Sequence, residues 1–257
     1  MLDRTAVRLG RTPVVLVAHG SRDPRAALAT EALAEAVRSV SAGTPVWSSY
    51  LDHAGPRPGD VLHALEEAGH DRATMVPLLL TAAYHRRVDI PDVVAAARAA
   101  GLRIPVRLAE VLGPDGGPVD ELLIMALTRR LMEAGVEPGA VDGLVLAAAG
   151  TRDARARGAV DQVASALGAA WGVSCVSAYA SAASPTPAEA VRHLRSAGAP
   201  RVAMAGYFLA PGRLYGVAAD SARAGGAVAV SAPLEAADEV AHLVLTRATA
   251  PPPSSSI

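Results

Sequence analysis

Short runs of Val, Leu and Met alternate along this chain with longer Ala-rich stretches whose apolar positions recur every three or four residues. The first spacing suits a buried strand and the second an amphipathic helix. VVLVA at 14–18 reads as a strand, PRAALATEALAEAVRSV at 24–40 as a helix, and PVWSSYL at 45–51 as a second strand. The alternation continues through GDVLHALEEAG, ATMVPLLL at 73–80, IPDVVAAARAAG, IPVRLAE and VDELLIMALTRRLMEAG. It predicts four strands and four helices by about residue 135, in the rhythm of a parallel sheet covered by helices on both faces.

The same order then restarts, and the restart carries sequence as well as pattern. VVLVAHGSRD at 14–23 matches LVLAAAGTRD at 144–153, and DELLIMALTR at 120–129 matches DEVAHLVLTR at 238–247. Tyr50 pairs with Tyr179, Pro56 and Pro58 with Pro185 and Pro187, and Ala68-Gly69 with Ala197-Gly198, at a single offset. The fold expected is α/β: two tandem homologous three-layer α/β/α domains, each with a four-stranded, mainly parallel sheet. The first spans 1–135, the second, a degenerate repeat, 141–249, with the turn-rich GVEPGAV between them. The Pro- and Ser-rich tail, 250–257, is expected to be disordered.

In open parallel sheets ligands bind beyond the carboxyl ends of the strands, so residues just after each strand are the first candidates. His19 follows the first strand, Asp52 the second and His85 the third. Two imidazoles and a carboxylate on neighbouring strand ends suit Fe(II), Co(II), Ni(II) or Zn(II). The second half acts as an internal control, with Ala149 in place of His19, Ser181 in place of Asp52 and, by local alignment, Arg213 in place of His85. Gly20, Arg22 and Asp23 keep counterparts in Gly150, Arg152 and Asp153, which points to a turn common to both halves. Loss of all three candidates together is the behaviour of one site. His19 has a bland alternative, capping the helix that follows; His53, His63, His70, His193 and His242 read as solvent-facing.

Composition narrows the chemistry further. Of 257 residues about half are apolar, the formal charge is −1, and all 24 basic residues are arginine. Arginine forms two-pronged hydrogen bonds to carboxylates, so a polycarboxylate ligand suits the chain. The single cysteine, Cys175, excludes an internal disulfide framework and a Cys-based zinc or iron–sulfur site. No signal-like segment opens the chain and no stretch offers the roughly 20 apolar residues of a membrane helix, so a cytoplasmic protein free of the membrane is expected. No basic block with interleaved aromatics points to nucleic acid. Neither G-x-G-x-x-G, a Walker loop nor G-x-S-x-G appears after a strand.

At AHGSRDPRA, with PLLLTAAYHRRVDIP further on and YFLAPGRLYG in the second half, the sequence resembles the class II tetrapyrrole chelatases, in particular the long, tandem sirohydrochlorin cobalto- and ferrochelatases. The resemblance implies a lyase that inserts Fe2+ or Co2+ into sirohydrochlorin for siroheme or cobalamin synthesis. The metal, Fe2+, Co2+ or Ni2+, is then a substrate, and no covalent cofactor is implied. It makes His19 and His85 the metal-handling catalytic residues, with Asp52, at a position where relatives carry Glu, as the third catalytic residue. On that basis the two histidines are expected to hold the metal facing the ring while Asp52 or bound water helps to remove the pyrrole protons. The macrocycle would lie between the halves, its carboxylates met by Arg22, Arg86, Arg87, Arg152 and Arg213. A fused tandem already supplies a cleft that single-unit relatives build by dimerising, so a monomer is expected, with a dimer left open. The competing reading is a non-catalytic tandem α/β protein that binds a metal or small molecule.

Overall fold

In a computed structural model of the chain, residues 12–41, 43–81 and 89–250 are described. The first half contains β1 (Val14–Ala18), α1 (Pro24–Val40), β2 (Val46–Tyr50), α2 (Pro58–Glu67), β3 (Ala73–Pro77), α3 (Asp89–Ala99), β4 (Val106–Leu108) and α4 (Glu121–Glu133). The second repeats the order with β5 (Gly143–Ala148), α5 (Ala154–Trp171), β6 (Ser174–Tyr179), α6 (Pro187–Ser196), β7 (Val202–Gly206), α7 (Arg213–Ala224), β8 (Ala229–Val230) and α8 (Asp238–Thr249). Each half builds a four-stranded sheet, ordered β2-β1-β3-β4 and β6-β5-β7-β8, and every strand pair is parallel. Right-handed crossover through helices is what such parallel neighbours require.

Helix starts follow local chemistry. Asp23 caps α1 and Asp153 caps α5, each carboxylate accepting from the backbone N–H two residues on, at 3.0 and 2.8 Å. Thr186 and Glu189 form a reciprocal capping box on α6.

Three apolar cores separate the layers. Val15 and Val17 pack outward on Val61, Leu62 and Leu65 of α2, and Val145 and Ala147 pack outward on α6 and α7. The inner faces of both sheets share one core, in which Leu16 and Leu146 meet Leu33 of α1, Leu127 of α4, Leu167 of α5 and Leu243 of α8.

Within that central layer the last helix of each half is exchanged. The first half's closing helix, α4, packs against β7 and α5, while α8 packs against β3 and α1. Two charge pairs tie the exchanged helices together. Arg129 of α4 holds Glu239 of α8 at 2.7 Å, and Arg247 of α8 holds Asp120, the N-cap of α4, at 3.1 Å. Arg129 and Arg247 are equivalent positions of the repeat, so the contact is close to two-fold symmetric. No helix among the described residues is long and apolar enough to cross a membrane.

Candidate active site

The carboxyl ends of the strands in both sheets open onto one cleft of about 890 Å³, within the range of small-molecule and cofactor sites. His19, Gly20 and Tyr50 line it from the first half, and Gly150, Tyr179 and Phe208 from the second, over a wall dominated by Ala and Leu. A second depression, of about 990 Å³, follows the open edge of β6 and does not include His19, which lines the first. The strand-end cleft is therefore where the chemistry can sit.

The turn after β1 is built around a close approach. Gly20 has φ +92°, and a Cβ there would lie 1.8 Å from the carbonyl oxygen of Asp52. The N–H of Asp52 in turn donates to the carbonyl of His19 at 2.9 Å. The second half repeats the arrangement: Gly150 has φ +98°, with the Ser181 carbonyl at the same 1.8 Å. Ser21 and Thr151 each accept from the N–H of the capping aspartate at 3.1 Å. Gly20 and Asp23, retained in the second half as Gly150 and Asp153, thus shape the turn. His19 is not the helix cap, a role Asp23 fills; it is exposed and stands on the cleft wall.

Asp52 lies on the neighbouring strand end, as expected, but its carboxylate is engaged. It accepts from the His53 N–H at 2.8 Å, and the His53 ring and the Arg57 guanidinium stand 3.4 and 3.8 Å away. The His53 N–H chiefly, then the charges of His53, Arg57 and His19, hold the carboxyl below the usual carboxylate range. Asp52 is therefore an anion near His19 and a weak proton acceptor. His53 has φ +60°, matched by Ala182 at +59°, so its backbone belongs to the repeat's loop. Among the other histidines, His193 and His242 are exposed, while His63 and His70 are half-buried.

His85, Arg86 and Arg87 lie outside the described residues. Among the described residues no three His, Cys, Asp or Glu side chains converge as a metal-binding group; His19 and Asp52 are the pair brought near one another. Arg22, Arg152 and Arg213 are exposed and are not on the cleft wall. Each adjoins a wall residue in the chain: Ser21, Thr151 and Leu214.

The aromatic part of the wall was not singled out from sequence. Tyr207 is buried, and its hydroxyl donates across the halves to the Leu80 carbonyl at 2.8 Å. Gly113 makes room for this, since a Cβ there would meet the same carbonyl at 1.8 Å. Burial pushes the phenols of Tyr50 and Tyr207 well above the usual range, so both stay neutral. The pairing of Tyr50 with Tyr179 was the sequence signal that could have found this wall.

The sequence profile of the CbiX family matches residues 13–134 and 143–250. Among solved structures, SirB from Bacillus subtilis with Fe3+ superposes with a TM-score of 0.78 at 21% identity, over 92% of this chain and 94% of that one. The sirohydrochlorin chelatase SirB from Bacillus subtilis subspecies spizizenii in complex with cobalt gives 0.76 at 20% identity, over 93% and 94%. A CbiX described as the terminal enzyme of siroheme biosynthesis in denitrifying bacteria gives 0.63 at 24% identity, over 90% and 96%. At these identities the likeness speaks for the fold. No curated protein matches the chain.

Proposed function

The chain belongs to the CbiX family of class II chelatases, and on that premise we propose that it inserts a divalent metal, Fe2+ or Co2+, into sirohydrochlorin in siroheme or cobalamin synthesis. The observation that carries this reading is an apolar cleft shared by two repeats, with a histidine at one strand end and alanine, Ala149, at the equivalent end. A flat macrocycle can rest its faces on the Tyr, Phe and Leu wall. Its peripheral carboxylates reach outward to Arg22, Arg152 and Arg213, joined by Arg86 and Arg87, which supply bidentate charge-assisted bonds.

Insertion needs a metal presented to the ring and two pyrrole N–H protons removed. In this reading a neutral imidazole at His19, with His85, holds the arriving dication weakly and leaves coordination positions open for the pyrrole nitrogens. Asp52 contributes its negative charge beside His19, which favours a dication there without direct contact. The site belongs to the segment 1–135, and the second repeat, 141–249, acts as a clamp on the macrocycle. The reaction would run in the cytoplasm in a monomer.

The test is the absorbance change of sirohydrochlorin with Fe(II), Co(II) and Ni(II) side by side. Conversion well above the spontaneous rate is expected, and the preferred metal is the one converted fastest. Binding of metal or macrocycle with no conversion above the spontaneous rate would replace the chelatase by a non-catalytic binding protein.

A further inference from the structure

Two protons must leave an apolar cleft for each metal inserted, and the Asp52 carboxylate is already engaged by the His53 N–H at 2.8 Å. Tyr50 offers another way out. It is 3% exposed, lines the cleft, and donates its hydroxyl to Glu31 Oε1 at 2.9 Å. Glu31 itself is exposed on α1. The pair therefore connects the cleft wall to bulk water.

The second half shows what a purely structural arrangement looks like. Asp161 stands at the same distance from its N-cap as Glu31 does, and its shorter carboxylate bonds the Ser177 hydroxyl instead of a tyrosine. Ser48 is the register equivalent of Ser177, since it pairs with Leu16 as Ser177 pairs with Leu146. Its hydroxyl is buried and has no hydrogen-bond partner among the described residues. An unmade buried hydrogen bond destabilises the fold. The first half thus leaves a serine unsatisfied and places its longer carboxylate on the tyrosine that faces the cleft.

We propose that Tyr50 and Glu31 form the proton exit of the insertion reaction, an inference that rests on the chelatase reading. As a pyrrole nitrogen turns its lone pair to the metal, its proton passes to Tyr50 Oη, directly or through water. The hydroxyl proton moves along the existing bond to Glu31, which releases it to solvent. Tyr50 is neutral and Glu31 anionic at the start and at the end, no electron changes hands, and the path is used twice per metal. The elevated phenol pKa suits Tyr50 to conduct a proton and not to hold a charge.

Glu31→Gln in the full chain keeps an acceptor for the Tyr50 hydroxyl but cannot carry a proton. Its kcat for metal insertion should fall by about tenfold or more, short of the full effect of general acid–base groups, with KM for sirohydrochlorin and Tm unchanged. Glu31→Asp should lose kcat equally and hold or gain in Tm, because the shorter carboxylate takes Ser48 as Asp161 takes Ser177. Wild-type kcat in Glu31→Gln overturns the exit while leaving the chelatase standing, and so does loss of Tm without loss of kcat in Glu31→Asp. Failure of the unaltered protein to convert sirohydrochlorin overturns both together.

Discussion

The carbonyl oxygen of Asp52 occupies the space that any side chain at position 20 would need, 1.8 Å from where a Cβ would stand on Gly20. The positive φ adds to the demand for glycine. Because Gly150 meets Ser181 in the same way, Gly20→Ala and Gly150→Ala should each destabilise the protein by about 2–3 kcal/mol. Denaturant midpoints will measure this. An alanine variant as stable as the parent at either position would show that the turn relaxes at little cost.

His19 is exposed, so its removal should leave the fold intact while depriving the cleft of the imidazole proposed to face the metal. His19→Ala is expected to lower insertion by at least about a hundredfold, with Tm within a degree or two of the parent. In the proposed reading Asp52 acts through its charge, which its lowered pKa preserves to below the ordinary carboxylate range. Asp52→Asn should therefore reduce the rate throughout the range between about pH 6 and 8, where histidine titrates, without abolishing the acid limb of the profile. An acid limb that disappears in Asp52→Asn would make Asp52 the titrating base.

Glu239 is nearly buried against Arg129, and that hydrogen-bonded guanidinium holds its carboxyl below the usual range. A depressed folded-state pKa stabilises the protein above the unfolded value of about 4.3, and this contribution is lost as pH falls through the folded value. Glu239→Gln should cost about 1–2 kcal/mol at pH 7, at the modest end because Arg129 is partly exposed. The deficit should shrink below about pH 4. A deficit independent of pH would mean that shape and not charge matters at this contact.

The architecture was readable because the continuous apolar run VVLVA differs so clearly from the three-to-four-residue period of the stretch that follows it. The strand ends were readable too, and with them His19 and Asp52. Other features were not. That α4 would settle on β7 and α8 on β3 is a matter of which apolar face meets which, and the two helices are alike enough in pattern that sequence cannot tell home sheet from partner sheet. The engagement of Asp52 by His53 and Arg57 depends on a loop whose backbone turns left-handed at position 53. Tyr207, which reaches Leu80 across the halves, replaces Leu78 of the first repeat, and a single aromatic in an apolar run gives no hint of a distant partner.

The exchange of α4 and α8 has a consequence for how the two repeats came to differ. In a symmetric pair of identical chains every substitution appears twice, so a histidine lost from one strand end is lost from both. Once the crossing helices belong to a single polypeptide, each repeat remains locked to the other by Arg129 and Arg247 while its residues change alone. One strand end can keep His19 while its counterpart becomes Ala149, and one carboxylate can move to Tyr50 while the other stays on Ser177. Division of labour between the halves is thus open to a fused chain in a way that it is closed to a homodimer.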